Sequence, residues 1–190
     1  RAELQEALGM PLNGEVKTYS LLDLLANRVG IPAIQNKVVK PLTGLRLVCY
    51  YGCLLVRPPG ITGFDDPENP QFLDQLMEAL GAVAVPFPAK VRCCGGSRAA
   101  AAPGEVLGYV QSIIEAAESA GASLVVTPCP MCQFNLEVNQ LWINQTCGSS
   151  FNLPVLFFTQ LICVAFGLGP AAGLKHCLVS PYRALASFIL

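Results

Sequence analysis

The sequence comprises 190 residues, of which 53% are hydrophobic and 13% are charged, and its formal net charge at pH 7 is −1. This length suits one domain, or one domain with a short leader. Because ordinary soluble domains carry about 25% charged residues, the composition predicts an ample apolar core and some apolar surface that contacts a partner. The thinly spread basic residues give no electrostatic reason to expect nucleic acid as a partner.

The first 44 residues are predicted to form a helical lead-in or connector to the main domain, residues 45–190. Ser20 has the short side chain that caps helix N-termini, and leucines follow it at the spacing of one helix face. Gly30 and Pro32 are predicted to stop this helix.

From residue 45 onwards, short apolar runs alternate with stretches of helical periodicity. The predicted strands are Leu45–Cys49, Ala82–Phe87, Leu124–Thr127 and Val155–Phe158. The predicted helices are Asn69–Leu80, Gly104–Ala120, Cys129–Trp142 and Gln160–Phe166. This alternation predicts an α/β fold, Rossmann-like, with a largely parallel sheet and flanking helices.

An uncharged stretch of 21 residues, Pro154–Leu174, is long enough to be considered as a membrane-spanning helix. The polar pair Thr159-Gln160 interrupts it, however, and Gly167–Pro170 contains helix breakers. The stretch is therefore interpreted as a buried strand followed by a short buried helix, without direct membrane insertion.

Nine cysteines are a high count for a chain of this length. A secreted disulfide scaffold would explain a high count, but nine is odd, and several of the cysteines are adjacent or nearly so. Such spacings pair poorly and chelate metals well. The chain is also large and apolar enough to fold without disulfides. A reducing, cytoplasmic compartment is therefore expected.

Five of the cysteines follow the first three predicted strands, where the loops are rich in glycine and proline. Cys53 follows the first strand, Cys93 and Cys94 the second, and Cys129 and Cys132 the third. Ligands of open parallel sheets bind beyond the carboxyl ends of the strands. We therefore expect the five thiols to lie at one edge of the sheet, in cluster-binding loops whose backbone N–H groups can donate to sulfur.

Other interpretations of these cysteines stay open. A structural zinc site takes four ligands, so a fifth cysteine would be spare, and adjacent cysteines are not the usual zinc spacing. A thioredoxin-type C-x2-C motif at Cys129–Cys132 would leave the other three unexplained. Packing as a small buried hydrophobe suits the cysteines of apolar runs, Cys49, Cys163 and Cys177, while Cys147 is expected in an exposed loop.

Three segments carry a resemblance to a known family: Tyr50–Pro58 (YYGCLLVRP), Cys93–Ser97 (CCGGS) and Pro128–Cys132 (PCPMC). The successive cysteine motifs are separated by 40 and 35 residues. In order and spacing they closely resemble the cysteine-rich CCG domain. The match is strongest to the second such domain, the C-terminal half, of the heterodisulfide reductase B subunit.

The resemblance implies that residues 45–190 form a CCG iron–sulfur domain that binds a noncubane [4Fe-4S] cluster. Carried over onto this sequence, the cluster ligands would be Cys53, Cys93, Cys94, Cys129 and Cys132. It also implies a complex with a ferredoxin-like C subunit and a flavoprotein A subunit, and a small thiol or disulfide as substrate. In that family two such domains face each other, and the heterodisulfide of coenzyme M and coenzyme B is reduced between their clusters.

One CCG signature is present and the chain begins at Arg1, so we expect either half of a longer subunit or a one-cluster relative. The resemblance implies an oxidoreductase subunit that reduces or forms a disulfide. Relatives of this domain also occur in succinate, fumarate, lactate and glycerol-phosphate oxidoreductases and in sulfur-oxidising complexes. Two other functions therefore stay open: an electron-transfer subunit without its own substrate, and a zinc docking module with four cysteine ligands. Association of the complex with a membrane also stays open.

Four basic residues flank the cysteine loops and could orient an anionic substrate by charge-assisted hydrogen bonds. They are Arg57, Lys90, Arg92 and Arg98. A solvated surface charge is the more ordinary interpretation of each. The single histidine, His176, lies beside apolar residues and is interpreted as structural.

Overall fold

The computed structural model of the chain describes residues 2–11 and 18–189. Its strands are β1 (Arg46–Cys49), β2 (Val83–Ala84), β3 (Leu124–Thr127) and β4 (Val155–Phe157). All neighbouring strands are parallel, and their order in the sheet is β2-β1-β3-β4. The predicted α/β class with a parallel sheet is therefore confirmed.

Helices lie before, between and after the strands. They are α1 (Ala2–Leu8), α2 (Leu21–Leu24), α3 (Ile31–Gln35), α4 (Pro59–Thr62), α5 (Phe72–Ala79), α6 (Pro103–Ser119), α7 (Pro130–Cys147), α8 (Phe158–Ala165) and α9 (Tyr182–Ile189). A π-helical turn covers Leu25–Val29, and 3-10 turns cover Gly96–Arg98, Gly169–Ala172 and Leu174–His176. The four helices predicted after residue 45 are present as α5 to α8.

Two predictions about helix ends are wrong, namely that Pro32 stops a helix and that Trp142 ends one. Gly30, with φ of 80°, ends the π-helical turn as predicted, but Pro32 lies in the first turn of α3. Proline is tolerated there because the first N–H groups of a helix have no intrahelical acceptor. The helix predicted to end at Trp142 continues to Cys147, and Gly148 then adopts a left-handed conformation that ends α7. Cys147 is exposed, as expected, but it lies on a helix.

The uncharged stretch from residue 154 forms β4 and then α8, as predicted. In the part of the chain that the structure describes, no helix combines the length and the hydropathy needed to cross a membrane.

The central strands β1 and β3 are buried on both faces, and their side chains alternate between the two faces. Leu47 and Cys49 of β1 point into one core cluster, with α5 and α8, and Val48 points into the other, with α6 and α7. Side chains of the predicted lead-in, Leu22, Ile34 and Leu42, belong to the first cluster. Residues 1, 12–17 and 190, which the predicted lead-in and domain include, lie outside the described residues.

A buried ion pair joins α5 to the segment that precedes the adjacent cysteines. Lys90 donates from Nζ to Asp74 Oδ1 at 2.9 Å and to the Pro70 carbonyl oxygen at 2.9 Å. The hydroxyl of Tyr51 donates to the second carboxylate oxygen, Oδ2 of Asp74, at 2.8 Å and accepts from the Leu73 N–H at 2.7 Å. Both charged side chains are almost fully buried, so each depends on these partners for its solvation.

Lys90→Met removes the cation and leaves the Asp74 carboxylate buried with the Tyr51 hydroxyl. We expect the free energy of unfolding, measured by urea denaturation, to fall by about 3–5 kcal/mol, the usual cost of an uncompensated buried charge. Arg98→Met is the matched control, since it breaks an exposed pair with Glu105 at 2.7 Å and should cost about 0–1 kcal/mol. Equal losses in the two variants would contradict this account.

Candidate functional site

The five cysteines that follow the first three strands line a single pocket of about 370 Å³. The pocket lies beyond the carboxyl ends of the parallel strands, which is where open α/β sheets bind ligands. Its remaining wall is largely apolar and is formed by Tyr51, Leu54, Leu55, Gly96, Ser97, Pro128, Pro130 and Met131. The structure thus brings together all five thiols that the sequence analysis selected.

Gly52 allows the first cysteine loop to reach the third. The Tyr50 N–H still donates to the Val126 carbonyl at 2.8 Å, and the chain then turns at Gly52 with φ of 70°. A Cβ at this position would lie 3.1 Å from Cys132 Sγ. Glycine is therefore needed at position 52 both for the turn and for the close approach to a thiol.

The adjacent cysteines point to different parts of the pocket. Cys93 is exposed and its Sγ lies 3.9 Å from that of Cys53, whereas Cys94 is buried with its Sγ 3.6 Å from that of Cys132. The adjacent cysteines thus place one thiol near Cys53 of the first loop and the other near Cys132 at the start of α7.

Backbone N–H groups point at two of the sulfurs. The Gly95 N–H donates to Cys93 Sγ at 3.3 Å, and the Cys132 N–H donates to Cys129 Sγ at 3.4 Å. Cys129 is the N-cap of α7, where the helix dipole adds to the stabilisation of negative charge. The contact to Cys129 favours thiolate sulfur over the neutral thiol.

Hydrogen bonding among the thiols separates their pKa values. Contacts with the Cys132 thiol lower the pKa of Cys94 and of Cys129 to about 6. The same contacts raise the pKa of Cys132 well above its ordinary value. Burial raises the pKa of Cys53, and the neighbouring Cys93 thiol raises it further. Two of the five sulfurs thus favour the thiolate form, which is the metal-binding form of cysteine.

The donor set fits an iron–sulfur cluster. Thiolates are the protein ligands of such clusters, and here five thiols from three separate loops line one pocket. A Cβ at Gly96 would lie 3.4 Å from Cys94 Sγ, so the glycine backbone can closely approach sulfur here as it does at Gly52. For one metal ion, as distinct from a cluster, no group of three or more histidine, cysteine or acidic side chains is suitably arranged within residues 2–11 and 18–189.

The other cysteines lie outside the pocket. Cys49, the last residue of β1, is fully buried in the first core cluster, where burial raises its pKa, and Cys163 and Cys177 are half-buried. Cys147 is exposed at the end of α7. His176 lies with Cys177 in a separate pocket between α7 and the C-terminal segment.

The basic residues near the cysteine loops do not line the pocket. Lys90 is held in the buried ion pair with Asp74, so its interpretation as a substrate-binding or solvated charge is wrong. Arg57 and Arg98 pair with Glu68 and Glu105, at 2.8 and 2.7 Å. The Arg92 side chain is exposed.

Two polar residues at the site were not selected from the sequence. Tyr50 is fully buried, and burial raises the pKa of its hydroxyl well above the ordinary value. Asn135 is buried beside Gly96 and Cys94. The available signals were the tyrosine pair before Gly52 and the position of Asn135, one helical turn after Cys132.

Comparison with known proteins finds a matching family model and several relatives. Residues 47–137 match the model of the cysteine-rich domain named CCG. The chain is 36% identical over 169 residues to the 8-methylmenaquinol:fumarate reductase membrane anchor subunit of Wolinella succinogenes, covering 88% of this chain and 58% of that protein. It is 30% identical to the B subunit of the ferredoxin:CoB-CoM heterodisulfide reductase of Methanosarcina mazei, covering 86% of this chain and 55% of that protein.

The chain spans little more than half the length of these curated relatives. A hypothetical protein from Helicobacter pylori, known from a crystal structure, shares the fold with a TM-score of 0.61 at 12% identity. That match covers 79% of this chain and 28% of the other. Residues 47–137 therefore form a cysteine-rich CCG domain, as the spacing of the cysteine motifs predicts.

Proposed function

We propose that this chain is an iron–sulfur redox subunit of a heterodisulfide-reductase-like complex. Cys53, Cys93, Cys94, Cys129 and Cys132 hold a noncubane [4Fe-4S] cluster, and the subunit reduces or forms a disulfide. The observation that carries this proposal is that thiols from three separate loops surround one pocket at the strand ends. The similarity to heterodisulfide reductase B subunits supports the sulfur chemistry.

In this proposal the five thiols of the pocket would hold the cluster. When bound, the cluster would supply electrons and a site for substrate sulfur. Reduction of a disulfide takes two electrons and two protons and releases two thiols. In this proposal the electrons come from a ferredoxin-like C subunit and a flavoprotein A subunit. The apolar wall, including Leu55 and Met131, would pack against the carbon chain of a small thiol.

Exposed apolar side chains around the pocket support assembly with other subunits. Leu54 is 80% exposed at its edge, and Met131 and Phe134 at the start of α7 are 58% and 57% exposed. Large exposed hydrophobic residues grouped at one place are typical of protein interfaces. We propose that this surface is covered in the complex.

A second candidate function is electron transfer without a substrate of its own. The specific observation in its favour is the 36% identity to a membrane anchor subunit of a menaquinol:fumarate reductase. In that case the cluster passes electrons between other subunits of a complex associated with a membrane.

For either function we propose that the domain lies in the reducing cytoplasm, since nine free cysteines stay reduced there.

Metal and acid-labile sulfide analysis of the anaerobically purified protein tests the cluster. We expect about four irons and four sulfides per chain. Cys94→Ala should abolish iron binding, because it removes a buried thiol from the middle of the pocket. Cys147→Ala is the matched control and should retain full iron content, since Cys147 lies outside the pocket. One zinc without sulfide would contradict the proposal and favour a structural docking module.

Electron paramagnetic resonance of the oxidised cluster separates the two redox functions. We expect the spectrum to change when the thiols coenzyme M or coenzyme B are added, because thiolate sulfur would occupy a site on the cluster. A spectrum that is unchanged by either thiol, in protein with full iron content, would contradict direct disulfide chemistry and favour the electron-transfer function.

A further inference from the structure

Two buried side chains hold the backbone on both sides of Cys93. The hydroxyl of Tyr50 donates to the Arg92 carbonyl oxygen at 2.6 Å, one residue before the pair of adjacent cysteines. Asn135 donates from Nδ2 to the Cys94 carbonyl oxygen at 2.7 Å, directly after the pair. The peptide groups that flank the pair are therefore both fixed by side-chain hydrogen bonds.

Tyr50 is itself rigidly placed. Its side chain is fully buried at the end of β1, and its N–H is bonded to the Val126 carbonyl of β3 at 2.8 Å. Its ring packs edge-on against Phe87, with the ring centroids 6.5 Å apart. The hydroxyl therefore has a fixed position relative to the sheet.

Asn135 is held in one orientation. It is 3% exposed, and its Oδ1 accepts a hydrogen bond from Asn139 Nδ2 at 3.0 Å. Because Oδ1 is engaged on that side, the amide NH2 group faces the Cys94 carbonyl. The donor is thus fixed relative to α7.

The two side chains come from the same segments as the other cysteines. Tyr50 precedes Cys53 by three residues, and Asn135 follows Cys132 by three residues. Each outer segment therefore contributes its own thiol to the pocket and also a hydrogen bond to the middle segment. These two bonds tie the middle segment to both outer segments.

We propose that Tyr50 and Asn135 are positioning residues that hold Cys93 and Cys94 in the divergent orientation needed for cluster ligation. This inference rests on the proposed function. Neighbouring residues on a free loop sample many relative orientations, whereas here one thiol lies by Cys53 and the other by Cys132. Groups that orient metal ligands in this way control the affinity and the electronic properties of the centre.

Asn135→Asp tests the role of the amide. The substitution keeps the shape of the side chain but places a carboxylate oxygen, which cannot donate, against the Cys94 carbonyl. Asn144→Asp is the matched control on the same helix. Asn144 donates from Nδ2 to the Phe151 carbonyl at 2.8 Å and accepts from the Phe151 N–H at 2.8 Å, so it has a similar hydrogen-bonding role away from the cysteines.

Both variants and the wild-type chain are loaded with iron and sulfide anaerobically. In Asn135→Asp we expect release of iron to a chelator to be about tenfold faster than in the wild type, as for other residues that orient metal ligands, and the electron paramagnetic resonance spectrum to be altered. Asn144→Asp should match the wild type in both measurements. A release rate and spectrum in Asn135→Asp equal to those of Asn144→Asp would overturn the inference.

Tyr50→Phe is a second, independent variant, because it removes the hydroxyl and keeps the ring that packs on Phe87. It should show the same faster release and altered spectrum, and it decides the question if Asn135→Asp does not fold. Wild-type behaviour of Tyr50→Phe would overturn the role of its hydroxyl.

Failure of the proposed function has a different signature. If the wild-type chain takes up no iron, backbone amide hydrogen–deuterium exchange of residues 92–96 in the iron-free proteins reports how readily this loop opens once a hydrogen bond to one of its carbonyl groups is lost. We expect about tenfold faster exchange in Asn135→Asp and Tyr50→Phe than in Asn144→Asp, since a lost hydrogen bond of about 1.4 kcal/mol is worth a factor of ten. Equal exchange in the three variants would overturn the positioning role.

Discussion

The parallel pairing of β1 with β2 on one side and β3 on the other is the constraint on which the site depends. Parallel strands end at the same edge of a sheet, so the loops that follow them must meet there. The register pairs Cys49, the last residue of β1, with Val126, which lies one residue before the end of β3. The first and third cysteine loops therefore begin almost level with one another, and the second loop follows the short edge strand β2.

Two consecutive tyrosines, Tyr50 and Tyr51, fix the backbone at this edge of the sheet. Because side chains alternate across a strand, Tyr51 points to one core cluster and bonds Asp74, whereas Tyr50 points to the other and bonds the Arg92 carbonyl. Asp74 in turn holds Lys90. The segment that leads into the adjacent cysteines is thus fixed at residues 90 and 92 from opposite faces of the sheet.

The sequence alone was sufficient to predict the sheet, its parallel pairing and the meeting of the five thiols. These features follow from periodicity and from the position of each cysteine after a strand, which are local properties of the chain. The role of Lys90 was not predictable, because a lysine beside a loop gives no sign that Asp74 lies opposite it in the core. The same holds for Asn135, whose partner lies 41 residues away in the chain.

The end of α7 also depends on residues that are distant in sequence as well as on its own sequence pattern. After Ile143 the sequence is polar up to Gly148, so no apolar periodicity marks the last turn of α7. Asn144 nevertheless bonds both backbone groups of Phe151, and the helix continues until Gly148 can reverse the chain. Contacts with a later loop thus extend a helix that its own sequence pattern would end.

The close approach of Gly52 to Cys132 Sγ has a consequence for recognising this architecture among divergent sequences. At position 52 an L-residue would meet both an unfavourable φ of 70° and a sulfur atom 3.1 Å from its Cβ. At Gly95 the corresponding obstacle is the ring of Tyr109, 2.9 Å from an added Cβ. A distant sequence that keeps the cysteines but replaces either glycine would need another backbone path around the thiols. The glycines, together with the cysteine spacing, therefore distinguish chains that can build this pocket from chains that merely contain the cysteines.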